Sequence, residues 1–233
     1  MSYQRIMLKL SGESLAGNQG QGINDDQVKQ FADLIKSVHD LGIQLAIVVG
    51  GGNFWRGRTN PQMDRVTADQ IGMLATTMNA MALADAVRQT GTGCQVMNAI
   101  DMPRITESFV QARAKEYLDK GMVLIFAGGT GSPFFSTDSA AALRAAEIGA
   151  DLVLKGTLVD GIYDKDPKVY PDAVKYDEIS LAEVLAKDLK VIDAAAAAIC
   201  RDNKLSVQIF NITEPNNLLK ILKGEKLGSL IFP

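Results

Sequence analysis

Apolar residues follow two alternating patterns along the chain. In residues 43–49 and 122–127 they are almost consecutive, which is typical of strands buried on both faces of a sheet. In residues 25–41 they recur every three or four positions, which predicts an amphipathic helix. The same reasoning predicts strands at residues 5–10, 94–97, 152–155, 207–210 and near 230, and helices at residues 66–88, 109–118, 138–148, 181–186, 194–201 and 216–222.

The alternation of strands and helices predicts an α/β protein. Its central sheet is expected to be mostly parallel, with helices on both faces, so that the layers form an αβα sandwich. No long polar linker divides the chain, and a single domain over residues 1–233 is therefore expected. Residues 161–176, which include Pro167 and Pro171, are expected to form an irregular, mobile excursion.

The expected helix at residues 66–88 is apolar on most of its faces. Met73, Met78 and Met81 lie there among alanines and other small residues. Such a helix is buried on more than one side, either entirely within the core or partly in a contact between subunits. The sequence leaves both interpretations open.

Charge and composition exclude several classes of function. The 233 residues include 24 basic and 27 acidic side chains, a net charge of −3 that gives no support for nucleic-acid binding by a basic face. The single histidine, His39, excludes His-rich metal sites, and two cysteines are too few for a disulfide framework. No apolar run reaches the roughly 20 residues of a membrane span, and no leader segment is recognisable, so a cytoplasmic protein without membrane contact is expected.

Glycine-rich loops follow four of the expected strands. They contain Lys9-Leu10-Ser11-Gly12, Gly50-Gly51-Gly52 with Arg56 close behind, residues 128–138, and Lys155-Gly156-Thr157. Ligands of open α/β sheets bind at the carboxyl ends of the strands, where these loops would meet. Glycines let backbone N–H groups approach phosphates, and the lysines and the arginine supply positive charge. The pattern therefore predicts a phosphate or nucleotide site.

The well-known nucleotide-binding motifs are missing from these loops. The sequence has no Gly-x-x-x-x-Gly-Lys-Ser/Thr of P-loop NTPases, no Gly-x-Gly-x-x-Gly after the first strand and no protein-kinase signature. Phosphoryl transfer on another fold is favoured, because that chemistry needs positioning and positive charge more than a covalent catalyst.

Six segments of the chain together resemble a known family. They are Lys9-Leu10-Ser11-Gly12-Glu13, Gly50-Gly51-Gly52-Asn53, Met63-Asp64-Arg65-Val66, Gly72-Met73-Leu74-Ala75-Thr76, residues 130–138 and Val159-Asp160-Gly161-Ile162-Tyr163. In this order they are similar to the bacterial uridylate kinases (UMP kinases) of the amino-acid kinase superfamily. The resemblance covers nearly the whole chain and implies the carbamate kinase-like fold of that superfamily. It also implies transfer of the γ-phosphoryl group of ATP to UMP with Mg²⁺ in de novo pyrimidine nucleotide synthesis, and a homohexamer that GTP activates and UTP inhibits.

The resemblance also assigns roles to individual residues. Lys9 and Lys155 would hold the transferring phosphoryl group, and Asp193 would orient a lysine or Mg²⁺. Asp138 would partner a lysine or the metal, or would only cap a helix, and these alternatives stay open. Contacts to ATP would come from Lys9, Leu10, Ser11, Gly12, Gly52, Arg56, Thr157, Tyr163 and Asp166. Contacts to UMP would come from Gly51, Asp69 (to the ribose hydroxyls), Thr130, Gly131, Ser132, Pro133, Phe134, Phe135, Ser136 and Thr137. GTP would be sensed by Gly17, Asn18, Gln19, Gly20, Gln21 and Gly22.

Two other functions remain open at this point. One is a sister kinase that acts on carbamate, acetylglutamate, aspartate or a small phosphate. Residues 130–138 argue against it, because a carboxylate substrate does not need a cradle for both a phosphate and a base. The other is a non-catalytic member that stores metal oxide and binds nucleotide, and the presence of Lys9, Lys155 and Asp193 disfavours it.

Overall fold

The computed structural model describes residues 3–56, 62–167, 169–214 and 216–233. Its strands are β1 (Arg5–Leu10), β2 (Gln44–Val49), β3 (Cys94–Asn98), β4 (Glu107–Ser108), β5 (Val123–Ala127), β6 (Leu152–Thr157), β7 (Ile162–Tyr163), β8 (Lys175–Tyr176), β9 (Glu178–Ser180), β10 (Ser206–Asn211) and β11 (Ser229–Phe232). Its α-helices are α1 (Gly12–Ala16), α2 (Asp25–His39), α3 (Arg65–Gln89), α4 (Gln111–Asp119), α5 (Thr137–Ile148), α6 (Leu181–Ala186), α7 (Ala194–Asp202) and α8 (Asn216–Leu222).

One large sheet carries the fold. Across the described residues its strand order is β4-β3-β5-β2-β1-β6-β10-β11-β9. Every neighbouring pair is parallel except β10 and β11, so β11 and β9 run against the other strands. The expected α/β architecture with a mostly parallel sheet is confirmed. Because the parallel strands point the same way, the loops after β1, β2, β5 and β6 leave from one edge of the sheet.

Helices cover both faces of the sheet because its strands are apolar on both. In β1, Ile6, Leu8 and Leu10 belong to the core beneath α2 and α3, whereas Met7 belongs to the core beneath α4, α5 and α7. Successive side chains of a strand point to opposite faces, which explains this division. Lys9 therefore follows Met7 onto the α5 face of the sheet.

The structure differs from the expectations mainly at short elements. Residues 161–176 are not wholly irregular, because β7 and β8 pair there as an antiparallel hairpin. Strands β4 and β9 were not expected, since two or three residues are too short for a periodic pattern. Helix α2 ends at His39, two residues before the expected end, with Asp40 as its C-cap. No helix of the described residues is long and apolar enough to cross a membrane.

Substitution of a buried residue in β1 tests the packing of the central sheet. Leu8 is fully buried between β2 and β6, so Leu8→Ala is expected to lower the free energy of unfolding by about 2–5 kcal/mol. Urea unfolding at an unchanged m-value measures the loss. Ile105→Ala, at a side chain that is 57% exposed, is the control and is expected to change stability by only about 0.5 kcal/mol. Equal losses in the two variants would contradict the burial of β1.

Candidate active site

Two lysines lie side by side at the carboxyl end of the sheet. β1 and β6 are parallel neighbours, and their register pairs Lys9 directly with Lys155. Because residues in register share a face, both side chains point towards α5. Each side chain keeps about one seventh of its surface exposed, 13% for Lys9 and 14% for Lys155. The pairing of strands therefore concentrates two positive charges at one point.

The carboxylate of Asp138 lies between these two ammonium groups. Its Oδ1 is 3.0 Å from the Nζ of Lys9, and its Oδ2 accepts a hydrogen bond of 2.5 Å from the Nζ of Lys155. Burial by itself would raise the pKa of Asp138, but the charges of Lys9 and Lys155 outweigh burial and hold that pKa below its usual value. Asp138 is thus an anion that fixes both lysines.

Lys155 has a second acceptor from another part of the chain. Its Nζ donates to the carbonyl oxygen of Val191 at 2.5 Å. Val191 lies two residues before Asp193, at the start of the segment that leads into α7. The position of this lysine is therefore fixed from both α5 and the segment before α7.

Asp193, which was expected to orient a lysine or Mg²⁺, accepts hydrogen bonds from hydroxyl and backbone groups in this structure. It caps α7 by accepting from the backbone N–H of Ala196 at 3.0 Å, and it accepts hydrogen bonds from the hydroxyl groups of Ser136 and Ser139. Ser136 in turn caps α5 by accepting from the N–H groups of Asp138 and Ser139. Asp193 thus ties α7 to the start of α5, the turn that carries Asp138.

A cavity of about 210 Å³ opens beside this turn and is called here the α3 cavity. Its walls come from the loop after β2, the first half of α3, the loop after β5 and the start of α5. The lining residues are Gly51, Gly52, Trp55, Ala68, Asp69, Gly72, Met73, Thr76, Gly129, Ser132, Phe135, Ser136 and Thr137. The structure thus brings together Gly51, Asp69, Ser132 and residues 135–137 of the expected UMP contacts, whereas Thr130, Gly131, Pro133 and Phe134 are not among the lining residues.

The α3 cavity depends on a close approach of backbone to backbone. A Cβ atom on Gly51 would lie 2.7 Å from the carbonyl oxygen of Gly72 and 2.9 Å from the Cβ of Ala75. Only glycine fits there without a shift of α3 or of the loop. Gly51 is therefore required by the packing of the loop against α3, and its lack of a side chain also lets the backbone approach a phosphate.

Asp69 holds the loop after β5 at the rim of the α3 cavity. Its Oδ2 accepts from the Nε of Arg65 at 2.8 Å and from the backbone N–H of Phe134 at 2.7 Å. Phe134 has a φ of 73°, in the left-handed region that a phenylalanine rarely adopts. The guanidinium of Arg65 lies 5.4 Å from the centre of the Phe134 ring. Asp69 thus keeps an unusual turn in place in addition to facing the cavity.

A second cavity, of about 550 Å³, lies on the other side of the loop after β2 and is called here the α2 cavity. Its lining residues are Ser11, Glu13, Ser14, Gly17, Asn18, Gly20, Gln27, Gln30, Phe31, Leu34, Arg56, Leu158, Ile212 and Thr213. Ser11 and Arg56 were expected at ATP, and Gly17, Asn18 and Gly20 at a separate GTP-sensing stretch. The structure brings these two groups of residues to one cavity.

The expected ATP contacts do not all lie at the α2 cavity, since Gly52 lines the α3 cavity instead. Arg56 forms an ion pair with Glu13. Thr157 precedes the lining residue Leu158, and its hydroxyl donates to the carbonyl oxygen of Val159 at 2.7 Å. Tyr163 and Asp166 are not among the lining residues. Tyr163 donates to Asp160 at 2.9 Å on the β7–β8 hairpin, and this hydrogen bond raises the pKa of Tyr163.

Sequence reasoning predicted Asp69 in the site but missed the contribution of the next two turns of α3. Asp69, Gly72, Met73 and Thr76 recur at intervals of three and four, so they share one face of the helix, and all four line the α3 cavity. Thr76 also accepts a hydrogen bond of 2.8 Å from the backbone N–H of Gly128. The mixture of polar and small residues at helical spacing was the available signal. Trp55 gave no signal, because its role depends on the path of the loop.

The described residues contain no group of three or more His, Cys, Asp or Glu side chains that could hold a metal ion. Asp138 and Asp193, the carboxylates beside the lysines, are already engaged by cations or hydrogen-bond donors. Mg²⁺ commonly needs only one or two carboxylates when substrate phosphates supply the other oxygens. The site therefore fits a metal that arrives with a phosphate ligand.

Comparison with known proteins places the chain in a family. Residues 4–211 match the family model described as "Amino acid kinase family". The crystal structure of a UMP kinase from Bacillus anthracis is similar with a TM-score of 0.97 and 36% sequence identity, over 100% of this chain and 97% of that one. A UMP kinase from Ureaplasma parvum gives 0.94 and 37%, over 100% of both chains. A uridylate kinase from Archaeoglobus fulgidus gives 0.73 and 31%, over 97% of this chain and 99% of that one. The chain belongs to the amino acid kinase family.

Proposed function

We propose that this protein is a kinase that transfers the γ-phosphoryl group of ATP to UMP and produces UDP and ADP. The observation that carries the proposal is the pair Lys9 and Lys155, held by the one carboxylate of Asp138. Thr137, next to Asp138, lines the α3 cavity, and Ser11, two residues after Lys9, lines the α2 cavity. The similarity over the full chain to enzymes named UMP kinases supports the choice of acceptor.

The two substrates occupy opposite sides of the loop after β2 in this proposal. UMP binds in the α3 cavity, with its phosphate towards the lysines and its ribose towards Asp69. Thr130, Gly131, Ser132, Pro133, Phe134, Phe135, Ser136 and Thr137 form the wall around its base and phosphate. ATP lies across the loops that contain Lys9, Leu10, Ser11, Gly12, Gly52, Arg56, Thr157, Tyr163 and Asp166. Its γ-phosphate then meets the UMP phosphate beside Lys9 and Lys155.

The reaction is an in-line displacement at phosphorus. The bond between the γ-phosphorus and the bridging oxygen breaks, ADP leaves with the electron pair, and an oxygen of the UMP phosphate forms the new bond. A phosphate monoester loses its second proton near pH 6, so the acceptor is ionised at neutral pH and needs no general base. The main obstacle is repulsion between two anions, and the fixed ammonium groups offset it.

Mg²⁺ would accompany the nucleotide in this proposal. When bound, it would supply positive charge that offsets the negative charge of the phosphates. Asp193, which is held by Ser136 and Ser139, and Asp138 are the carboxylates that would contribute to holding it. The main task of Asp138 is to fix the lysines.

Assembly and regulation extend the proposal. On α3 the side chains of Leu74, Met78 and Met81 are 45%, 45% and 41% exposed and lie at intervals of four and three, so they form an apolar stripe. We infer that this stripe packs against another subunit of a homohexamer. GTP would activate and UTP would inhibit the enzyme, the first through Gly17, Asn18, Gln19, Gly20, Gln21 and Gly22, a stretch that shares the α2 cavity with Ser11 and Arg56.

The proposed activity is tested with a panel of acceptors. Purified protein with ATP and Mg²⁺ is expected to release ADP with UMP, at a kcat/KM at least about tenfold higher than with CMP, dUMP, carbamate, acetylglutamate or aspartate. A coupled ADP-release assay measures the rates, and chromatography identifies UDP. The panel is run with and without GTP. A carboxylate acceptor that outperforms UMP would establish a sister kinase instead. If none of the acceptors led to release of ADP, the proposal would be refuted.

Removal of one ammonium group tests the electrostatic role. Lys155→Ala is expected to lower kcat by about 10³-fold, equivalent to about 4 kcal/mol, because a cation no longer meets the transferring group. Stopped assays measure kcat, and circular dichroism checks the fold. Lys36→Ala removes a lysine from an exposed ion pair with Asp40 and is expected to retain wild-type kcat. A Lys155→Ala enzyme with near-normal kcat would contradict the assigned role.

The lowered pKa of Asp138 predicts a pH dependence of stability. A carboxyl group whose pKa is lower in the folded state stabilises that state above its unfolded pKa, and the contribution is lost as pH falls through the folded pKa. The wild type is therefore expected to be more stable than Asp138→Asn from pH 8 to 5, with a difference that shrinks below about pH 4. Urea unfolding at each pH measures it. Asp85→Asn, at an exposed position of α3, controls for the loss of one charge. A difference that grows in acid would contradict this ion pair.

A further inference from the structure

Two buried asparagines form a closed hydrogen-bonded pair behind the loop after β2. The Nδ2 of Asn79 donates to the Oδ1 of Asn53 at 2.7 Å, and the Nδ2 of Asn53 donates to the Oδ1 of Asn79 at 2.9 Å. Asn79 is 0% exposed and Asn53 is 1% exposed. Each amide nitrogen has a second acceptor on the backbone, so all four side-chain N–H groups are used.

The second acceptors lie in two different loops. Asn79 donates to the carbonyl oxygen of Gly50 at 2.7 Å, and Asn53 donates to the carbonyl oxygen of Gly22 at 2.7 Å. The backbone N–H of Gly22 in turn donates to the carbonyl oxygen of Asn53 at 2.9 Å. The asparagine pair therefore joins helix α3 to Gly50, the first residue of the loop after β2, and to Gly22.

A third loop packs against the same pair. A Cβ atom on Gly12 would lie 2.5 Å from the Oδ1 of Asn53 and 2.6 Å from the carbonyl oxygen of Gly50. The Gly50 N–H also donates to the carbonyl oxygen of Leu10 at 2.9 Å. The loops after β1 and β2 thus meet at the two amides with no room for an additional atom.

Stability of α3 alone does not explain an asparagine at this position. Asn79 lies in the middle of a helix of 25 residues, where asparagine is an unfavourable residue and a buried amide must find several partners. An apolar residue would serve the packing of the helix better. The cost is offset only by the contacts that the amide makes outside the helix.

We propose that Asn79 is a positioning residue, whose amide fixes the Gly50 carbonyl and, through Asn53, holds the phosphate-binding loops after β1 and β2 in one arrangement. This inference rests on the proposed function, because it assumes that the backbone N–H groups of Gly51 and Gly52 meet substrate phosphates. Helix α3 then fixes the position of the loop after β2 and also forms one wall of the α3 cavity.

Trp55 provides a readout that does not require turnover. It is the only tryptophan of the sequence, it lines the α3 cavity, and its backbone N–H donates to the carbonyl oxygen of Gly51 at 3.0 Å. A displacement of Gly50 and Gly51 therefore moves the indole ring. Its fluorescence reports on the loop even in an enzyme that catalyses nothing.

The test is the variant Asn79→Asp, because aspartate has the same shape as asparagine. The ionised carboxylate of this variant donates no hydrogen bond to the Gly50 oxygen, whereas the protonated acid recovers one donor. At pH 8, Asn79→Asp is expected to raise the KM for UMP about tenfold and to make the Trp55 emission easier to quench with acrylamide. Position 79 is fully buried, and burial raises the pKa of a carboxyl group introduced there. Both differences from wild type, measured as ratios at each pH, are therefore expected to shrink as pH falls towards 5.5. Asn79→Ala introduces no titrating group, so its differences from wild type in the KM for UMP and in the quenching of Trp55 emission are expected to be the same at each pH.

Leu83→Val is the matched control, because Leu83 is one turn further along α3 and fully buried in the apolar core beneath α2. It is expected to lower the melting temperature and leave KM and Trp55 emission unchanged. If Asn79→Asp lowered only the melting temperature, the inference would be overturned. If Asn79→Asp does not fold at pH 8, Asn53→Asp is compared in the same way, since it removes the donor to Gly22. Absence of UMP kinase activity in the wild type would refute the proposed function, whereas the fluorescence comparison would still decide the role of Asn79.

Discussion

The shared carboxylate of Asp138 is the interaction on which the site depends. Lys9 and Lys155 are brought together by strand register, and two ammonium groups in register would repel each other without an anion between them. Asp138 supplies that anion from the first turn of α5 and forms an ion pair with each lysine. Because two positive charges face one negative charge, the cluster keeps a net attraction for a phosphate. The sheet therefore places two cations side by side, and the carboxylate from helix α5 offsets the repulsion between them in the folded protein.

Helix α3 is the second element that organises the site. Its polar residues reach two loops: Asp69 and Thr76 bond to Phe134 and Gly128 in the loop after β5, and Asn79 bonds to Gly50 in the loop after β2. A single helix moves as one body, so these loops keep their mutual distances. This arrangement explains why the helix carries polar residues at buried positions while its exposed stripe is apolar.

The sequence predicted much of the fold because long elements leave a periodic pattern. Helix α3 was expected at residues 66–88 and lies at Arg65–Gln89, and the buried strands at residues 43–49 and 122–127 correspond to β2 and β5. The β7–β8 hairpin and β9 escaped because a few residues carry no period. The sequence also predicted that the glycine-rich loops and the two lysines lie together, because they follow or end parallel strands whose carboxyl ends meet at one edge of the sheet. The hydrogen bonds of Asp193 and Asn79 could not, since they join residues 54 and 26 positions apart through tertiary packing alone.

The surroundings of the lysines also preserve their net charge. Cys200 lies beside Lys9, Asp138 and Lys155 around a cavity of about 10 Å³, barely the volume that one water molecule needs. Burial, together with the charges of Asp138 and Asp193, raises the pKa of the Cys200 thiol to about 12. A thiolate there would add a further negative charge beside the ammonium groups and weaken their attraction for phosphate. Because the thiol stays protonated at neutral pH, the ammonium groups keep the attraction for phosphate that strand register and Asp138 create.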